Sequence, residues 1–66
     1  MTTYTTITTK NGTMVAKVLG DGISPYEYFT GYDFMGSANW TIDARKALLM
    51  DLEEAEQIAD DLTAGE

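Results

Sequence analysis

Carboxylates are the side chains of this sequence with chemistry to offer. Eleven Asp and Glu stand against four Lys and Arg in 66 residues, for a formal net charge of −7 and a pI of about 4.1. Glu53, Glu56 and Asp60 recur at i, i+3 and i+7, which puts them on one side of any helix that carries them. Glu54 and Asp61 fall on the flank of that side. Glu56 and Asp60 form a like-charge pair at i, i+4, a spacing that weakens a helix by about 0.2–0.5 kcal/mol. Asp60 and Asp61 sit in its last turn, where the macrodipole prefers cations. No Lys or Arg follows Lys46 to compensate. Local rules broken without visible compensation mark sites under functional constraint. Helix neighbours at these spacings lie about 5–6 Å apart, and DNA phosphates advance about 3.4 Å per residue along each strand. A row of carboxylates can therefore stand where a row of phosphates would. The plain alternative is a solvated face that keeps the protein soluble.

Other chemistry is poorly provided for. There is no Cys, hence no disulfide framework, thiolate metal site or thiol nucleophile. There is no His, the side chain best suited to proton transfer near neutral pH. Asp21-Gly22 and Asp43 do not match calcium-loop spacing. Gly20-Asp21-Gly22 lacks the third glycine and the Lys of a phosphate loop. Asn39-Trp40-Thr41 is a glycosylation sequon, but no secretory signal is expected before it. No Ser–base pairing and no paired-carboxylate acid/base site stands out. We therefore expect a non-enzymatic protein with no cofactor and no metal, working through its surface. A chain at −7 is repelled by nucleic acid and by anionic membranes. No window approaches 18 uninterrupted apolar residues. The expected partner is a protein with a basic surface, and the expected location is the cytoplasm.

The charge is unevenly placed, and the elements that must position it follow from the pattern. Residues 1–42 carry three acids and two bases, whereas residues 43–66 carry eight acids and two bases. A single small domain spanning 1–66 is expected. Residues 2–9 are β-branched or aromatic throughout and suit a strand. Asn11-Gly12 then signals a type I′ hairpin, with 13–19 as the return strand. A two-residue loop at that dipeptide sets Thr9 against Met14, Ile7 against Ala16 and Thr5 against Val18. Ile7, Met14, Ala16 and Val18 then share the face expected to meet the core, and Tyr4, Val15, Lys17 and Leu19 the other. The hairpin occupies 2–19.

Segment 24–40 is expected to hold a short helix and an aromatic stretch. Ser24 at N-cap, Pro25 at N1 and Glu27 at N3 make a capping box, with Gly31 as the stop. Residues 32–35 are a third strand or an extended loop, and 36–39 a turn. The last element, 41–62, is a long helix starting near Thr41, with Ala44, Leu48, Leu52, Ala55, Ile58, Ala59 and Leu62 on one face. Asp51 falls inside that apolar arc, so a break near 50–51 is the alternative, with Asp51 capping a second helix. Residues 63–66 should fray.

Six of the seven aromatics fall between Tyr26 and Trp40. Phe29, Phe34 and Trp40 are expected in the core. Tyr26 and Tyr32, flanked by Glu27 and Asp33, are candidates for an interface, where Tyr is enriched at hot spots.

The opening strand Met1-Thr2-Thr3-Tyr4-Thr5-Thr6-Ile7, the Asn11-Gly12 hairpin and the acidic segment 51–66 on so short a chain resemble the small acidic anti-CRISPR proteins of phages and mobile elements, particularly inhibitors of type I effector complexes. Several of those proteins look like DNA mimics that bind the basic surface of a Cas8-type or backbone Cas subunit and block target DNA. The resemblance implies a small phage protein acting in the cytoplasm of an infected bacterial host. The reading is an α+β domain in which an N-terminal antiparallel β-hairpin, or a three-stranded sheet, packs against a short helix and a long acidic C-terminal helix. Glu53, Glu56 and Asp60 carry the central charge, Glu54 and Asp61 flank it, and Glu27, Asp33, Tyr26 and Tyr32 form the rim. Two alternatives stand beside it: a self-associating assembly module whose helix face and aromatics bury against a second copy, and an acidic mimic aimed at another DNA-binding protein, such as a restriction enzyme or a repressor.

Overall fold

The computed structural model describes residues 2–19 and 25–65. Four strands, β1 (Thr3–Thr9), β2 (Gly12–Val18), β3 (Tyr26–Tyr32) and β4 (Ala38–Thr41), form one antiparallel sheet in the order β1-β2-β3-β4. A 3-10 turn (Ala44–Lys46) follows, and then one helix, α1 (Leu52–Ala64), packed on the sheet. The fold is α+β.

The first hairpin forms at the expected place in a different register. Thr9 pairs with Gly12, Ile7 with Met14 and Thr5 with Ala16, a shift of two residues from expectation. The central residues of the turn are Lys10-Asn11, and no described residue other than glycine has a positive φ, so the turn is not type I′. Thr9 closes it with its side chain: Oγ1 donates to the Gly12 carbonyl at 2.9 Å and accepts from the Asn11 N–H at 3.2 Å. Gly12 absorbs the unusual geometry at φ +146°. A two-residue shift preserves which residues share a face. The face that α1 covers, however, is the one expected to lie outside, while Met14 and Ala16 of the expected core face are buried as well.

The core cluster is Val15 and Phe29 against Ala55 and Ala59, bordered by Tyr4, Ala38, Trp40, Met50, Ile58 and Leu62. Val15 belongs to the Tyr4 face, so Ile7, Met14, Ala16 and Val18 face away from α1. Two alanines on the buried stripe let the helix backbone approach the sheet closely. The rings order themselves around Phe29: Trp40 meets it edge-on at 5.7 Å, Tyr32 edge-on at 5.1 Å, and Tyr4 stacks on Trp40 at 5.7 Å. Such pairs add about 0.5–1.5 kcal/mol each beyond area burial.

The expected short helix is a strand instead. Ser24 lies outside the described residues, and the residues after Pro25 run extended as Tyr-Glu-Tyr-Phe-Thr-Gly-Tyr. Four aromatic positions and a Thr in seven favour a pleated surface, and pairing with β2 outweighs the local capping signal. Gly31, read as a helix stop, sits at an irregularity in the β3–β4 ladder with φ +129°. The third strand is thus 26–32 and not 32–35. Residues 33–37 turn, with Gly36 at φ +85°, and residues from Ala38 onward form β4. Phe34, expected in the core, is 98% exposed at that turn.

The long helix from Thr41 is broken. Asp43, and not Thr41, caps the 3-10 turn by accepting from the Arg45 N–H. Residues 48–50 then run extended into the gap left where β3 stops pairing with β2. The Leu48 N–H donates to the Phe29 carbonyl at 2.9 Å, and Met50 and Thr13 exchange both backbone hydrogen bonds at 2.9 Å. Extended pairing there forbids helix, so α1 begins at Leu52 with Asp51 at N-cap. The break falls where the alternative put it, but the Asp51 side chain makes no capping hydrogen bond; its carbonyl accepts from the Ala55 N–H. Ala44, Leu48 and Leu52 accordingly leave the apolar face and are exposed. At the other end α1 stays helical through Ala64, two residues into the segment expected to fray, because Gly65 caps it with its N–H on the Asp61 carbonyl.

Candidate acidic surface

Helix α1 positions the expected carboxylates. Ala55 and Ala59 are buried against β1 and β2, and this anchoring turns Glu53, Glu54, Glu56, Asp60 and Asp61 to solvent; all five are exposed. Glu53 and Glu54 sit in the first turn, where the helix dipole favours them. Asp60 and Asp61 sit in the last turn, where no basic residue offsets them.

The five do not form one row. At 100° per residue, Glu56 and Asp60 lie on one flank of the buried stripe, Glu54 and Asp61 on the other, and Glu53 on the crest between. Glu56 and Asp60 border an open groove of about 350 Å³ whose other wall is Tyr4, Thr5 and Thr6 of β1, with Ala59 between. From Glu53 to Asp61 the carboxylates cover about 12 Å of helix axis. One DNA strand presents about three or four phosphates over that length. Within the group, Asp61 accepts from Gln57 Nε2 at 3.0 Å, which steadies one carboxylate without neutralising it.

The four rim residues lie elsewhere and are differently engaged. Glu27, on β3, is half-buried with Oε1 3.8 Å from Lys17 Nζ, which also stands 4.5 Å from the centroid of the Trp40 ring. Its charge is thereby balanced. Asp33 spends its carboxylate on the β3–β4 turn: Oδ1 accepts from the N–H groups of Met35 at 2.9 Å and Ser37 at 3.0 Å. Tyr26 is half-buried beside Tyr28, with ring centroids 6.2 Å apart. Tyr32 is 50% exposed with its ring edge against Phe29.

Among the described residues the ion pairs are Lys17–Glu27 and Arg45–Asp43, and neither involves α1. Asp43 is held below the usual carboxylate range by the side-chain hydrogen bonds of Arg45, helped by the Arg45 backbone N–H; Arg45 is raised in turn. No group of Asp and Glu among the described residues is arranged to hold a metal ion. Two features escaped sequence reasoning. The β1–α1 groove depends on which face the helix covers, and alternation alone does not decide that. The exposed Phe34-Met35 turn carried a signal in Asp33 and Gly36, a turn-forming pair.

No protein-family model matches the chain, no curated protein matches it, and no solved structure matches it.

Proposed function

We propose that this protein is a non-enzymatic inhibitor, resembling the small acidic anti-CRISPR proteins, that offers the carboxylates of α1 in place of DNA phosphates to a type I CRISPR effector subunit and so blocks target DNA. The observation that carries the reading is the exposure of Glu53, Glu54, Glu56, Asp60 and Asp61 on one helix, with no cation paired to any of them among the described residues. A helix assembled for stability alone would place Lys or Arg in its last turn and at i, i+4 from its acids. This one forgoes both. The proposed target is the basic surface of a Cas8-type or backbone subunit, reached in the cytoplasm of an infected bacterial host. Complementary charge gives fast, salt-sensitive association, and Tyr32, half exposed on β3 away from the helix, offers aromatic area to a partner that reaches past α1.

The test is binding to a purified type I effector complex in competition with its target DNA. Glu53→Lys, Glu56→Lys and Asp60→Lys combined should abolish competition while the circular dichroism of the fold is kept, because all three side chains face solvent.

A second reading, self-association, is favoured by the turn between β3 and β4. Phe34 is 98% and Met35 77% exposed there, on a loop braced by Asp33. A dimer closed through such side chains should persist at high salt, where a carboxylate-mediated complex should dissociate.

A further inference from the structure

We propose that the outer edge of β1 at Thr6 and Thr8, which no other described strand pairs, receives an extended, basic strand of a protein partner, whose Lys or Arg side chains enter the groove beside Glu56 and Asp60. The inference goes beyond the reading above, since a partner held this way need not bind DNA.

The sheet has two edges, and they are treated differently. The β4 edge is blunted: four residues, next to a ladder irregularity between Phe29 and Gly31. Short, irregular edges resist pairing with other chains. The β1 edge is seven residues in unbroken register, Thr-Tyr-Thr-Thr-Ile-Thr-Thr, with no charge, proline or bulge. None of the guards that a strand carries in its own sequence is present, and α1 packs on its face.

The hydrogen-bond direction along that edge follows from β2. Thr13 spends its backbone N–H and C=O on Met50, on the side away from β1. Alternate residues of an antiparallel strand face alternate neighbours, so Gly12, Met14 and Ala16 bond to Thr9, Ile7 and Thr5. Thr6 and Thr8 therefore direct their N–H and C=O outward from the sheet. A strand laid there would continue the ladder, as peptides do when they add to an open sheet edge.

Charge selects the occupant. On the α1 side, the added strand's side chains would stand opposite Thr6 and Thr8, about 4.5–5.5 Å away. The groove above that position is bordered by Glu56 and Asp60, and it extends past Tyr4 and Thr6 to Thr5, whose side chain points to the far face. Side chains alternate at every second residue, so a sequence with Lys or Arg at alternate positions would send its cations to those carboxylates. A second copy of this chain is disfavoured. Its β1 has no base to offer, and α1 packs over β1, so pairing two copies would bring two acidic helices side by side.

The experiment adds a blocked peptide of alternating Lys and Thr to the 15N-labelled protein and follows amide exchange at Thr6 and Thr8. Exchange at both is expected to slow at least tenfold at saturation. The same Lys–Thr peptide N-methylated at each Lys, whose charge is unchanged and whose backbone cannot donate to the Thr6 and Thr8 carbonyls, should produce no slowing. Glu56→Gln with Asp60→Asn should weaken the Lys–Thr peptide at least tenfold. Thr63→Lys with Ala64→Lys, which moves the net charge in the same direction away from the groove, should weaken it less than threefold. Equal weakening by both double variants, an equal response to the N-methylated peptide, or no slowing at millimolar peptide would each overturn the proposal. Slowing that rises with protein concentration alone would overturn it in favour of a second copy. Failure here leaves the DNA-mimic reading intact, because that is decided by competition with DNA on an effector complex.

Discussion

At the scale of single residues, geometry concentrates at a few positions. Gly12 has φ +146°, and a Cβ placed on it would stand 3.1 Å from the Leu49 Cβ and 3.5 Å from the Met50 carbonyl oxygen. Backbone strain of this kind costs about 1–3 kcal/mol, and contact with the backbone of residue 50 leaves little room to relax. Gly12→Val should therefore lower the melting temperature by roughly 5–20 °C, given about 4–8 °C per kcal/mol in a domain this small; differential scanning calorimetry checks it. Asp43 is a second such position. Its carboxylate is favoured in the folded state by Arg45, so its contribution is complete above the ordinary carboxylate range and fades as pH falls through the lowered value. Arg45→Gln should move the Asp43 titration, followed by carboxyl NMR, up toward the value of a free Asp, and should remove the part of the acid-dependent loss of stability that Asp43 contributes.

At the scale of elements, the decisive contacts are those between β2, α1 and residues 48–50. Ala55 is fully buried where the helix meets the sheet. Ala55→Leu adds three carbons at that close approach and should destabilise by about 1–3 kcal/mol through overpacking, read from urea denaturation with unchanged slope. The same contacts explain what was and was not legible in the sequence. The first hairpin, the solvent-facing carboxylates, and Ala55 and Ala59 as inward positions follow from local periods of two and of 3.6 residues. The register of the hairpin does not, because Thr9 closes the turn with its side chain and Gly12 takes the positive φ alone. The segment Tyr26–Tyr32 carries a capping box and a strand composition at once, and only pairing with β2 decides between them. The start of α1 at Leu52 is set by Met50 pairing with Thr13, 37 positions away in sequence and invisible to helical periodicity. The candidate surface was therefore legible as a set of residues. Its division into a flank facing β1, a crest and a far flank was not.

At the scale of the whole molecule, structure and charge are separated. The four-stranded sheet carries the aromatic packing and the Lys17–Glu27 and Trp40 contacts, while α1 carries five exposed carboxylates and no base. This segregation gives a net charge of −7 a direction. Exposed charges are screened beyond about 8 Å at physiological ionic strength, so association through this helix must strengthen as salt is lowered. The central claim, that α1 occupies the place of DNA on a basic protein surface, is tested most directly by one titration. The protein is titrated against a purified type I effector complex carrying labelled target DNA, at low and at physiological salt, with the Glu53→Lys/Glu56→Lys/Asp60→Lys variant alongside. The account predicts displacement of DNA by the native protein, stronger at low salt, and none by the variant. Equal displacement by the variant, or displacement indifferent to salt, would contradict it.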